Sequence, residues 1–232
     1  MIPLSIPVMA GNEWKYIKEC LDTGWVSSVG PFVNKFEKIL AEYTGTQHAV
    51  ATVNGTAALH LSLIGCGVEQ DDEVVVPALT FIAPANAVRY CGAYPVFMDC
   101  DPLTLCIDVE KLTVFFQKEC SKSKDGRLIN KKTKRAIKAV IPVHVFGHPA
   151  DLNALCLLSK KYNIPVIEDA TESIGSEYKG KRTGSFGELG CFSFNGNKIV
   201  TTGGGGMIVP NNNAVADRVR HERHDRHEGQ RR

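Results

Sequence analysis

One lysine, Lys198, stands in the stretch 191–206, CFSFNGNKIVTTGGGG, after a short aromatic alternation and before Thr-Thr and four glycines. An apolar run closing on Asn-Gly-Asn-Lys predicts a buried strand that ends in a tight turn and aims the amine into a pocket. The glycines let other groups approach it closely. A lysine presented in this way is a reactive amine, whereas a lysine taken alone is an ordinary exposed side chain. The rest of the chain must therefore supply its partners.

Asn54, Gly55 and Thr56 lie between an expected strand, HAVATV, and an expected helix, AALHLSLIGCG. The first amides of that helix, the Thr56 hydroxyl and the helix dipole then point at the carboxyl edge of a sheet, an arrangement that binds phosphate, although Gly-Thr before a helix is also a common cap. Asp169 ends the strand IPVIEDA at the same edge, where open α/β sheets bind ligands. Glu168 and Asp169 are neighbours on a strand and face opposite sides, so one serves structure and the other function. Glu172 and Ser173 follow in the turn, where a solvated acidic loop is the equal alternative. Ser193 precedes Lys198 by five residues, and Phe81 is expected in the helix after the second strand. A hydroxyl, an anion-binding helix start, an aromatic ring, an acid and a lysine on one rim are what a phosphorylated aromatic aldehyde needs.

The elements that position these residues alternate strand and helix. EVVVP, YPVFMD, KAVIPVHVFG and IPVIEDA read as strands, and LTFIAPANAVRY, DVEKLTVFFQKEC and PADLNALCLLSKKY as helices, Phe81 falling in the first of these. This order implies right-handed crossovers and a mostly parallel sheet covered on both faces. Two amphipathic helices precede it, one with Trp14, Ile17, Lys18 and Leu21 and one with Phe32, Phe36, Ile39, Leu40 and Tyr43, flanking a loop GWVSSVGPF. SKSKDGRLINKKTKR lacks an apolar period and reads as a solvated surface insertion. Residues 221–232, HERHDRHEGQRR, carry no apolar side chain and read as a disordered tail following a 1–220 domain.

The 232 residues are 44% hydrophobic, enough for a sizeable core, and 27 basic against 25 acidic residues give a net charge of +2. Near balance excludes a global field that selects nucleic acid or an anionic membrane. The start MIPLSIPVMAGNEW resembles no secretion signal, and no apolar run reaches the roughly 18 residues of a membrane span, so a cytoplasmic protein is expected. Eight scattered cysteines, without CxxC pairs or histidines at zinc spacing, read as reduced core thiols, and no metal is expected.

GTAALHLSL, VVVPALTFIAPANAV, PVFMDCD, IPVHVFGHPADLNAL and PVIEDATESIGSEYKGKRTGSFGELGCFSFNGNKIVTTGGGGMIV together resemble the DegT/DnrJ/EryC1/StrS family of pyridoxal-phosphate sugar aminotransferases. IPVMAGNEW, WVSSVGPFV and EDATES are most similar to LegC-type aminotransferases of legionaminic acid biosynthesis. The resemblance implies a fold type I large domain, α/β, with a mixed, mainly parallel seven-stranded sheet. It also implies a carboxyl-terminal small domain that this sequence lacks, and a homodimer. Pyridoxal 5'-phosphate is the implied cofactor, and glutamate and a nucleotide-linked keto deoxysugar are the implied substrates. By motif, Lys198 bonds the cofactor and shuttles protons, Asp169 pairs with the ring nitrogen and Glu172 meets the ring hydroxyl. Gly55, Thr56, Ala57 and Ser193 hold the phosphate, Phe81 stacks on the ring and Thr171 touches its other face. Family dehydratases carry histidine in place of the lysine, so Lys198 argues against that activity. A cofactor-binding or partner-binding remnant without turnover is the other alternative.

Overall fold

The computed structural model describes residues 6–228. Its strands are β1 (Val50–Thr52), β2 (Glu73–Pro77), β3 (Tyr94–Met98), β4 (Cys120–Lys122), β5 (Leu128–Asn130), β6 (Ala136–Val140), β7 (Ile167–Asp169), β8 (Glu177–Tyr178), β9 (Lys181–Arg182), β10 (Leu189–Ser193) and β11 (Gly206–Pro210). Its helices are α1 (Glu13–Thr23), α2 (Pro31–Thr44), α3 (Gly55–Gly65), α4 (Ala83–Tyr90), α5 (Val109–Lys118), α6 (Leu152–Tyr162) and α7 (Asn213–Glu228).

Strands pair in the orders β1–β11–β10–β7 and β3–β2–β6–β5–β4, and parallel bridges Val140–Val166 and Val143–Asp169 join β6 to β7. Backbone bonds from Val140 N to Pro165 O (3.0 Å) and from Asp169 N to Pro142 O (2.9 Å) close that seam. The result is the expected mixed sheet of seven strands, β1–β11–β10–β7–β6–β2–β3, in which β11 alone runs antiparallel.

Side chains alternate across this sheet as the pleat demands. Val74, Val76, Ile141, Ile167, Cys191 and Ile208 face a core shared with α3, α4 and α7. Val75 and Val140 face α5 and α6, while Phe192, Met207 and Val209 pack with Leu40 and Ala41 of α2. Parallel strands covered on both faces read as continuous apolar runs, which is why EVVVP is buried throughout.

Two sequence expectations change. The 121–135 stretch is mostly exposed, as expected, but it is built as a hairpin of β4 and β5 whose Leu128 is buried, and Asn130 Nδ2 donates to the buried Glu73 Oε2 at 2.8 Å. Polar groups are satisfied inside it, which a hydropathy pattern does not register. The expected tail from residue 221 instead begins inside α7, and Arg223 Nη1 donates to Glu37 Oε1 at 2.9 Å. Helix α7 is tied by Ala216 and Val219, both buried, and by Asn212, whose Oδ1 accepts from Val215 N. Residues 229–232 lie outside the described part.

Helix α1 has no buried residue, and Trp14, Ile17 and Leu21 are exposed. Ile17 and Leu21, together with Trp25, Val26 and α2, border an apolar groove of about 660 Å³.

Candidate active site

The lysine turn is built as its sequence requires. β10 ends at Ser193, Phe194 N donates to Gly205 O (2.9 Å), and Lys198 N closes a turn on Asn195 O (3.0 Å). The glycines let β11 run against the start of α3: a Cβ on Gly206 would sit 2.4 Å from Asn54 O. Asn54 caps α3, its Oδ1 accepting from Ala57 N at 2.8 Å, and the helix itself begins at Gly55. Ala58 N takes Asn54 O, which leaves the Gly55 and Thr56 N–H groups without an intrahelical acceptor.

Gly55, Thr56, Phe81, Asp169, Thr171, Glu172, Ser193 and Lys198 line one cavity of about 310 Å³. Ala57, expected with them, does not line it, and its N–H is occupied by Asn54. Phe81 lies in the loop before α4, ahead of the helix in which it was expected, because α4 begins at Ala83 with Pro84 in its first turn. Asn195 and Asn197 also line the cavity. The Asn-Gly-Asn turn signal marked their backbone, and their side chains follow from the lysine's own geometry.

Lys198 Nζ lies 3.6 Å from Glu172 Oε1, and the lysine side chain is only 19% exposed. Glu172 Oε2 accepts from Phe146 N at 3.0 Å. Asp169 is buried, and its Oδ1 accepts from Thr171 N at 3.1 Å. Burial pushes the Asp169 carboxyl up from its ordinary value, against the hydrogen bonds of Thr171 and the pull of His144 and Lys198. Among the described residues no cation lies within ion-pair distance of it.

Glu168 faces the other way. Its Oε1 accepts from Phe186 N (2.6 Å) and Gly187 N (2.7 Å), and its Oε2 from Gly184 N (2.7 Å) and His144 Nε2 (3.0 Å). It is the structural member of the Glu-Asp pair. His144 and Phe146 escaped the sequence reading because no spacing links them to the lysine.

The residues fit pyridoxal phosphate. A buried carboxylate without a counter-ion suits a protonated ring nitrogen, and free helix-start amides beside the Thr56 and Ser193 hydroxyls suit a phosphate. Gly55 keeps the wall close, since a Cβ there would lie 2.8 Å from Ser193 Cβ.

A model of the DegT/DnrJ/EryC1/StrS aminotransferase family matches residues 7–231. GDP-perosamine synthase of Caulobacter vibrioides is 46% identical over 219 residues, covering 94% of this chain and 54% of that protein. GDP-perosamine synthase of Escherichia coli O157:H7 is 43% identical over 220 residues, covering 95% and 56%. The aminotransferase from Psychrobacter cryohalolentis has a TM-score of 0.81 at 33% identity, covering 94% of this chain and 51% of that one. The chain spans about half the length of the curated relatives it matches.

Proposed function

The chain belongs to the DegT/DnrJ/EryC1/StrS aminotransferase family, and on that premise we propose that it bonds pyridoxal phosphate through Lys198 and moves an amino group from glutamate to a keto group of a nucleotide-linked deoxysugar. The observation that carries this is the convergence of Lys198, Glu172, Asp169 and the α3 start on one cavity. Pyridoxal phosphate is the cofactor of the family. A GDP-linked sugar is favoured over the legionaminic acid reading of the sequence, because two curated relatives 46% and 43% identical to the chain are named GDP-perosamine synthases.

When bound, the cofactor supplies an aldehyde that carries the amino group and a ring that withdraws electrons from the carbon being deprotonated. Asp169 keeps the ring nitrogen protonated. Lys198 Nζ would be the nucleophile as the free amine and the proton carrier once protonated, when Glu172 Oε1, 3.6 Å away, faces its charge. The Gly55 and Thr56 amides, with the Thr56 and Ser193 hydroxyls, hold the phosphate. Phe81 and Thr171, which line the same cavity, would flank the ring. Activity is proposed for a homodimer in the cytoplasm, whose cofactor-binding domain includes α7. Among the described residues no helix is long and apolar enough to cross a membrane.

The test is to load the purified chain with pyridoxal phosphate, reduce with borohydride, map the labelled peptide, and then assay amination of GDP-linked and UDP-linked keto deoxysugars with glutamate. Label on Lys198 with amination of the GDP-linked sugar supports the reading. Label elsewhere, or none in a folded sample, refutes the site. Label without amination leaves the cofactor-binding remnant.

A further inference from the structure

Two buried residues that do not line the cavity are bonded to each other and, through one short turn, to both acids of the site. Glu168 accepts four hydrogen bonds, and the one from His144 Nε2 is the only one of the four that comes from a side chain. Ala150 N donates to His144 Nδ1 at 3.2 Å, so the ring proton sits on Nε2 and points at Glu168. The backbone N of the same histidine donates to Asp169 O at 3.1 Å. His144 is therefore fixed by its ring to one residue of the Glu-Asp pair and by its main chain to the other.

Two positions later the backbone is strained. Phe146 has φ 53° and ψ 25°, and its side chain is 81% exposed. A non-glycine residue in this region is disfavoured because its Cβ crowds the backbone, and an exposed ring contributes little packing to offset it. The conformation presents the Phe146 N–H to Glu172 Oε2 at 3.0 Å, and Glu172 Oε1 then lies 3.6 Å from Lys198 Nζ. Ser176 Oγ donates to Gly147 O at 2.7 Å and ties down the far end of the turn.

Building on the proposed function, we infer that His144 and Glu168 are positioning residues: their buried bond anchors the strained 144–147 turn, which fixes Glu172 against Lys198 from behind the sheet. Glu172 has one oxygen on the turn and one toward the lysine, so a shift of the turn rotates the carboxylate. The charge that faces the lysine is thus set by a bond between two side chains that touch neither cofactor nor substrate.

The two conservative replacements of His144 separate anchoring from simple filling. His144→Gln keeps a donor where Nε2 stood and loses the acceptor for Ala150; His144→Asn keeps that acceptor and loses the donor to Glu168. Hydrogen exchange of the 144–150 and 171–176 segments is followed in the cofactor-free chain, together with melting temperature and pyridoxal phosphate affinity. The expected result is faster exchange of the Phe146 amide and on the order of tenfold weaker affinity in His144→Asn, with both restored toward the parent in His144→Gln. Ser176→Ala, which leaves the core intact, should raise exchange at the same amide with little change in melting temperature. Equal behaviour of the two His144 variants, or an unchanged Phe146 amide in Ser176→Ala, overturns the inference, and the second result decides it if His144→Asn does not fold. Failure of the parent chain to retain pyridoxal phosphate would refute the functional reading, while the exchange data would still decide the anchor.

Discussion

Glu168 and Asp169 are consecutive, both buried, and serve opposite faces of β7: the first accepts from His144 and the 184–187 loop, the second opens into the lysine cavity. One strand end thus carries a carboxylate held by four donors beside one that keeps only the hydrogen bonds of Thr171. A fully bonded buried acceptor holds a structure together, whereas a buried carboxylate with few partners is disfavoured as the anion, and a cationic ligand relieves that cost.

That difference predicts a trade between stability and chemistry at Asp169. Its folded-state carboxyl is pushed up, mainly by burial. The folded chain therefore binds this proton more readily than the unfolded one, so stability falls as pH rises from the ordinary carboxylate range, about 3.9, through the raised value. Asp169→Asn removes the penalty. The cofactor-free variant should melt higher than the parent near neutral pH, with the difference closing as pH approaches about 4. The same variant should lose about a hundredfold or more in the glutamate half-reaction, followed by cofactor absorbance. A lower melting temperature at neutral pH would contradict the assignment.

Gly55→Ala should weaken cofactor binding more than it weakens the fold. Its Cβ would meet Ser193 Cβ at 2.8 Å and Thr171 Cγ2 at 3.1 Å, two residues of the cavity wall. Overpacking of this kind costs about 1–3 kcal/mol. Gly65→Ala is the control, since its Cβ would meet Val219 Cγ2 at 2.8 Å on the helix-packed side. Both variants should melt lower, but only Gly55→Ala should lose pyridoxal phosphate affinity in a fluorescence titration. Equal affinities would remove Gly55 from the site.

Asn54→Ala removes the α3 cap, worth about 1 kcal/mol. It also frees the Ala57 N–H now held by Asn54 Oδ1 at 2.8 Å. Inorganic phosphate should still protect the variant against thermal unfolding, because the Gly55 and Thr56 amides remain. Loss of phosphate protection would mean that the Asn54 side chain itself contacts the anion.

What the sequence made legible followed from local rules. The lysine turn, the α3 cap and the strand-end acid were readable because each is a short segment with its own periodicity and punctuation, and the alternation of elements then brings them to one sheet edge. Phe81 lies a few residues ahead of its expected helix because Pro84 belongs to the first turn of α4 and marks a start that the apolar pattern of LTFIAPANAVRY runs past. The β4–β5 hairpin was hidden because its buried Asn130 is paired with Glu73, 57 positions away. His144 was missed for a similar reason: its partners Glu168 and Asp169 lie on another strand, and pairing between parallel strands leaves no mark on either sequence.

Residues after 220 provide the last prediction. Their composition suggested an inert appendage, yet Arg223 reaches across to α2 and the edge strand, with Nη1 2.9 Å from Glu37 Oε1 and 3.4 Å from Ala51 O. Glu37 Oε1 also accepts from Ala51 N at 2.8 Å, so the arginine neutralises a carboxylate that pins the edge of the sheet. Both side chains are mostly covered, at 24% and 18% exposed, which places the pair at the stronger end of surface ion pairs, about 1 kcal/mol. Arg223→Ala should therefore lower the melting temperature by about 2–4 °C for a chain of this size. In a double-mutant cycle with Glu37→Gln, the two effects should be less than additive by a similar amount. Strict additivity, or a deletion of residues 221–232 that melts like the parent, would show that this end of α7 contributes nothing to the fold.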